Sequence, residues 1–281
     1  MDKERIKSQL ATLQIPVFNV QWPEAIAPNE CLIEDQMIKW GDDHGLFVNN
    51  FAYREQTKRA RFASLAARCY PNARPELLQT IADFLLRVFL VDDLLFDRVD
   101  TITTHTLPNL TKIVNIMDGG SVGPEPIYGE DALYDICRRF RMLLSGEQFE
   151  RFVQVFRMWP AMEGLQILNH IQGRQAGIEE YNVIRRYTTG VLPCIALSDA
   201  ANQGSVTAEE FYDPRVQLLR RHTLNIISLA NDIHSLHVET HQPGHFSNFI
   251  RGYMDWVAKD TQRYSVEFAT TDADDRGILG N

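Results

Sequence analysis

The sequence predicts an all-α protein, a bundle of helices in one domain spanning residues 1–281. Apolar residues recur at i, i+3 and i+4 through 56–70, 75–98, 130–143, 147–172, 177–188 and 212–238, the period of a helix with one buried face. Alternating runs are scarce: Val17-Phe18-Asn19-Val20 is short, is followed by Pro23, and reads as an extended lead. Hydrophobic residues make up 44% of the chain, enough to bury a large single core.

Each boundary has a local reason. Pro75 suits the first turn of a helix, where its missing N–H costs nothing, and Gly146-Glu147 precedes another start. Residues 100–128 read as the clearest loop, holding Gly119-Gly120-Ser121-Val122-Gly123-Pro124-Glu125-Pro126. The stretch from Thr270 to Asn281 is polar and reads as a frayed tail. No repeat or interdomain linker interrupts the pattern.

Composition narrows the function. A net charge of −9 leaves no basic stripe for nucleic acid, and any polyanionic ligand must be neutralised locally, by cations and a few arginines. Cys31, Cys69, Cys137 and Cys194 are far apart and form no CxxC, which fits a reduced, cytoplasmic protein. The start, Met1-Asp2-Lys3-Glu4-Arg5, does not read as a signal peptide. Arg87 interrupts the longest apolar run, so no membrane span is expected.

Two acidic elements carry the chemistry. In Asn231-Asp232-Ile233-His234-Ser235-Leu236-His237-Val238-Glu239, the residues Asn231, Ser235 and Glu239 are spaced i, i+4, i+8. On a helix they drift only about 40° per step, so an amide oxygen, a hydroxyl and a carboxylate share one stripe. Hard oxygen donors in that row suit Mg²⁺. The apolar neighbours Leu218-Leu219, Ile226-Ile227, Leu229, Ile233 and Leu236 imply that these polar groups face inward. Upstream, Asp92-Asp93-Leu94-Leu95-Phe96-Asp97 ends an apolar run that begins at Ile81. Adjacent aspartates in such a run are costly unless a cation or a base compensates them. A solvated helix end paired with Arg87 or Arg98 is the plainer reading of Asp92-Asp93. For the second element the plainer reading is a polar stripe with a back-bond from Ser235. The histidines form no zinc spacing, since His234 and His237 lack an HExxH pattern.

Together these segments resemble the class I terpene synthases of the bacterial type. That family carries an aspartate-rich motif, DDxx(x)D/E, matched by Asp92-Asp93-Leu94-Leu95-Phe96-Asp97, and an NSE motif, (N/D)DxxSxxxE, matched by Asn231 to Glu239. Arg185-Arg186-Tyr187-Thr188-Thr189-Gly190 resembles its diphosphate-sensing arginine and helix break, and Arg263-Tyr264 its C-terminal RY pair. The resemblance implies the helical bundle of the isoprenoid synthases and a cluster of three Mg²⁺ ions. It implies ionisation of a prenyl diphosphate, most often farnesyl diphosphate, followed by cyclisation to a sesquiterpene. Metal ligands would be Asp92, Asp97, Asn231, Ser235 and Glu239; diphosphate contacts would be Arg186, Arg263 and Tyr264. Asp93, Phe89, Thr189 and Gly190 would complete the cavity, with Phe84, Leu85, Phe62, Trp159, Tyr187 and Trp256 as further lining candidates. Arg185 stays open beside Arg186 as the sensor. A homodimer is one arrangement the sequence leaves open.

Two departures stand out. Only 16 residues separate Glu239 from Trp256, where the family carries a loop and about two further helices, as if an internal piece near 240–250 were absent. Val238 stands where many relatives place a lysine toward the diphosphate. Two rival readings remain. One is a degenerate member that binds prenyl diphosphate without turnover. The other is a chain-elongating prenyltransferase, which would need a second aspartate-rich motif in place of Asn231 and Ser235.

Overall fold

Twelve α-helices make up most of the described residues of this computed structural model, with no strand among them. Described are residues 23–239 except 49, 97–101 and 175, and of 237–239 the backbone alone. In chain order the helices are α1 (Glu30–Asp43), α2 (Phe51–Ala60), α3 (Phe62–Cys69), α4 (Pro75–Val91), α5 (Leu110–Met117) and α6 (Glu130–Leu143). They continue with α7 (Gly146–Ile171), α8 (Ile178–Thr188), α9 (Val191–Ala196), α10 (Ser198–Ala201), α11 (Ala208–Tyr212) and α12 (Pro214–Glu239).

Helix α4 is the axis. Pro75 opens it as the sequence predicts, and it buries residues nearly all round, among them Leu77, Leu78, Ile81, Phe84, Leu86, Leu90 and Val91. It packs on α1, α3 and α6. Phe84 meets Phe140 of α6 and Phe152 and Phe156 of α7 edge-on, at centroid distances of 6.1, 5.2 and 5.1 Å. Trp159, also on α7, stacks on Phe156 at 5.5 Å and is 1% exposed. Rings in these geometries gain about 1 kcal/mol per pair beyond their buried area. Phe84, Leu85 and Trp159, read from the sequence as lining candidates, are therefore core. Helix α7 starts on a capping box in which Ser145 Oγ accepts from Gln148 N at 3.2 Å and Gln148 Oε1 from Ser145 N at 3.0 Å.

Two charged groups of α4 lie inside this core. Arg87 is fully buried, donates from Nε to the Gly129 carbonyl at 3.1 Å, and lies over the Trp159 ring. Burial pulls its pKa down to about 10. Gly129 must be glycine: its φ is +69°, and a Cβ there would sit 2.8 Å from Val91 Cγ2. Asp83 is 1% exposed, accepts from Arg139 of α6 at 2.7 Å and from Gln79 at 2.8 Å, and ties α4 to α6.

Three expectations need correcting. The stretch 56–70 is two helices, split at Arg61, whose left-handed φ of 54° cannot continue either one. The loop expected over 100–128 contains α5, whose Leu110, Ile113, Ile116 and Met117 are buried; eight residues are too few for the period to stand out. The helix expected to run to 98 keeps α geometry only to Val91 and turns π-helical over Asp92–Phe96. The extended lead at Val17–Val20 lies outside the described residues.

Asp83 yields a test. Burial, partly offset by Arg139 and Gln79, raises its pKa from 3.8 to about 6. A raised native value means that the folded state holds the proton more tightly. Its stabilising contribution is therefore complete below about pH 4 and lost as pH rises through about 6. Measured against Asp83→Asn, the wild-type Tm should fall by several degrees between pH 4 and 7 and stay level above it. A difference that is constant from pH 4 upward would contradict this titration.

Candidate functional site

Helix α12 shows which of its faces is anchored. Leu224, Ser228, Asp232 and Leu236, four residues apart, are buried, and the helix packs on α8, α9 and α11. Asp232 is only 1% exposed. A buried carboxylate is tolerated only when paired and hydrogen-bonded, and α8 supplies both. Tyr181 donates its hydroxyl to Asp232 Oδ2. One helical turn on, Arg185 donates to Asp232 Oδ1 from Nε at 3.0 Å, and its terminal nitrogen lies 2.8 Å from the same oxygen. That terminal nitrogen also donates to Asn231 Oδ1 at 2.5 Å.

The ligand stripe lies beside this anchor. Asn231 is exposed, and Ser235 is half-buried with an Oγ that makes no hydrogen bond among the described residues. Glu239 ends the helix, and its side chain lies outside the described residues. The expectation that the stripe faces inward holds for the buried Ser235 Oγ and not for Asn231. Leu218, Leu219, Ile226, Ile227 and Leu229 are exposed; among the described residues α8, α9 and α11 cover one face of α12.

The aspartate-rich segment occupies the π turn after α4. A π turn widens the helix by one residue per hydrogen-bonded ring and is frequent at functional sites. Asp92 is half-buried and Asp93 exposed. Burial first, and the Asp93 carboxylate second, push the Tyr53 hydroxyl above its usual range. Burial also pushes the Tyr128 hydroxyl up, with smaller contributions from Tyr53 and Asp93. Asp93 therefore lies near α2 and the lead into α6. Asp97 lies outside the described residues, as do Trp256, Arg263 and Tyr264. Phe89, one turn before Asp92, is 38% exposed and stacks on Phe62 at 4.7 Å, so neither ring belongs to the closed core.

The end of α8 lies near α4. The expected break is present: α8 stops at Thr188, Thr189 caps it, and Gly190 takes φ +69° before α9 begins. A Cβ on Gly190 would lie 3.9 Å from Val88 Cγ1, one turn before Asp92. The helix that grips Asn231 and Asp232 thus ends beside the helix that carries Asp92. Of the two arginines, Arg185 is committed to α12. Arg186 is half-buried, and its Nε finds no hydrogen-bond partner among the described residues. Tyr187 beside it is half-buried.

A divalent cation fits this donor set. Asn231 Oδ1, the idle Ser235 Oγ and the Asp92 carboxylate are hard oxygens, and the Arg186 guanidinium, whose buried Nε has no hydrogen-bond partner among the described residues, suits an anion. Among the described residues no three of His, Cys, Asp and Glu gather as a metal cage. Reading the sequence for ligands passed over Tyr181 and Asp232. The i, i+4 spacing of Tyr181 and Arg185 was the available signal.

Residues 83–263 match the family model described as terpene synthase family 2, C-terminal metal binding. A sesquiterpene synthase of Metarhizium brunneum is 45% identical, over 98% of this chain and 96% of its own. A (+)-corvol ether B/(+)-corvol ether A synthase of Kitasatospora setae, described as (2E,6E)-farnesyl diphosphate cyclizing, is 37% identical over 94% and 99%. The solved linalool/nerolidol synthase of Streptomyces clavuligerus shares the fold, with a TM-score of 0.74 at 20% identity over 84% of this chain and 77% of that one. The alignment with the M. brunneum protein runs over 330 positions, while 98% of this chain is about 275 residues. About 55 positions of that relative therefore have no counterpart here.

Gly190→Ala should leave the fold intact, since space exists for the methyl group. It should cost about 1–2 kcal/mol in urea unfolding, because an L side chain is strained at that φ. An unchanged midpoint would mean that the break does not need glycine.

Proposed function

The chain belongs to the terpene synthase family, and on that premise we propose that its site ionises farnesyl diphosphate and guides the resulting allylic cation into a sesquiterpene. It is an enzyme of the cyclase type. Asp92 and, on the facing side, Asn231, Ser235 and Glu239 are the proposed ligands of Mg²⁺, three ions in all, with Asp97 helping from the end of the aspartate-rich segment. When bound, Mg²⁺ supplies Lewis acidity to the leaving diphosphate. The observation that carries the reading is the pairing of two oxygen donors, Asn231 Oδ1 and the idle Ser235 Oγ, on the strip of α12 next to α8.

The remaining roles follow from charge and shape. A chain of net charge −9 has no bulk field to hold a diphosphate, so Arg186, Arg263 and Tyr264 are the proposed local contacts. Donors fixed in place before the reaction need no reorganisation as charge builds on the leaving group. Thr189 and Gly190 end α8 so that Arg186 lies close to the anion. Phe89 offers an aromatic face one turn from Asp92, where cation–π attraction and exclusion of water protect the cation. Asp93, which lies near Tyr53 and Tyr128, is assigned to shaping the π turn. The diphosphate itself is the proposed base.

The unmatched positions bear on closure. Their proposed place is between Glu239 and Trp256, which only 16 residues separate. No helix among the described residues is long and apolar enough to cross a membrane.

Incubation with farnesyl or geranyl diphosphate and Mg²⁺, with headspace trapping, should yield terpene hydrocarbon or alcohol. Elongated diphosphates would indicate a prenyltransferase, and binding without product a degenerate member. Asn231→Ala should abolish turnover and leave the helical circular dichroism unchanged; normal kinetics in that variant would refute the metal assignment. Phe89→Ala should shift the product mixture or rate more than diphosphate affinity, and an unaltered profile would remove Phe89 from the cavity wall.

A further inference from the structure

Asp232 is oriented differently from the proposed ligands on either side of it. With 100° per residue and Asp232 as origin, Glu239 falls about 20°, Ser235 about 60° and Asn231 about 100° to one side. All three proposed ligands therefore border the stripe on which Tyr181 and Arg185 grip the helix. Ligand atoms lie about 5–6 Å from the helix axis, so a roll of only 20° would displace them by about 2 Å. Mg²⁺ accepts near-ideal octahedral geometry at about 2.0–2.1 Å, so such a roll would break the site. The apolar residues of the anchored stripe, Leu224 and Leu236, tolerate small rolls, because dispersion contacts have no direction. The Asp232 carboxylate, held by a phenol and a guanidinium one turn apart on α8, does not.

We propose that Arg185 and Tyr181 are positioning residues that clamp Asp232 and so fix the roll of α12 at the angle that presents Asn231 and Ser235 to the cation. Arg185 is thereby separated from Arg186: one sets the metal face, the other is left for the diphosphate. The link from Arg185 to Asn231 Oδ1 gives the guanidinium a second contact on the same helix. Cation binding at that oxygen exchanges one hydrogen bond and leaves the grip on Asp232 in place. This proposal rests on the metal-centre reading above.

The test measures cation binding apart from turnover. Free Mn²⁺ is followed by electron paramagnetic resonance while the whole protein is titrated in the presence of inorganic pyrophosphate. Circular dichroism and Tm serve as controls for folding. Asp232→Asn should need about tenfold more Mn²⁺ for half-saturation, and Tyr181→Phe about threefold more. Arg185→Lys, which keeps the charge, should be closer to wild type than Arg185→Gln. Half-saturation within twofold of wild type in a folded Asp232→Asn would overturn the clamp. If that variant does not fold, Tyr181→Phe decides, since it removes only the hydroxyl that donates to Asp232, and unchanged Mn²⁺ uptake there would overturn the proposal. Asn231→Ala and Ser235→Ala separate the two levels. If they too bind Mn²⁺ normally, or the wild type binds none, the metal-centre reading fails; if only they lose binding, the clamp alone fails.

Discussion

A carboxylate almost sealed from water, Asp232, is the constraint on which the site depends. Left alone, such a charge would cost several kcal/mol, and removing one partner of a buried pair typically costs about 3–5 kcal/mol. Arg185 and Tyr181 offset that cost from one face of α8. The energetic gain over an apolar contact is small or nil, but the gain in direction is large. Two hydrophobic stripes can slide past one another, whereas a carboxylate gripped from two sides sets rotation and height together. Presenting two oxygen donors to one cation requires that kind of registration.

The core and the site are built on opposite physical rules. Around Phe84, Phe140, Phe152, Phe156 and Trp159 the contacts are apolar and numerous, and their only demand is close packing. Where α8 grips α12 the contacts are polar and directional. Helix regularity gives way at two places: a π turn at Asp92–Phe96 and a left-handed glycine at 190. Both interruptions re-aim backbone that would otherwise continue as ordinary helix, and both lie beside the proposed ligands.

The fold was legible wherever one buried face ran for several turns. Helices α6, α7, α8 and α12 fall within a few residues of the periodic stretches, and α4 starts where its stretch does, because burial of one face is written directly as spacing. Helix α5 was not legible, because eight residues give two turns of pattern inside a glycine- and proline-rich setting. The split at Arg61 was hidden because arginine is a good helix former, and only its backbone angle reveals the break. The placement of Asn231 and Ser235 along one helix and the break at Gly190 were readable from spacing and residue type. Phe84 and Trp159 were open between core and cavity wall, since the two look alike without coordinates, and their burial places them in the core. That Arg185 and not Arg186 binds Asp232 of α12 needed the fold, because adjacent arginines look alike in the sequence.

The central claim is that oxygen donors from two distant helices serve one metal-bound diphosphate. Anomalous diffraction from crystals soaked with Mn²⁺ and inorganic pyrophosphate measures it directly. Manganese peaks within ligand distance of Asn231 Oδ1, Ser235 Oγ and an Asp92 carboxylate oxygen, bridged by the phosphates and flanked by Arg186, are the predicted result. Peaks on unrelated surfaces, or a pyrophosphate bound away from both helices, would contradict it.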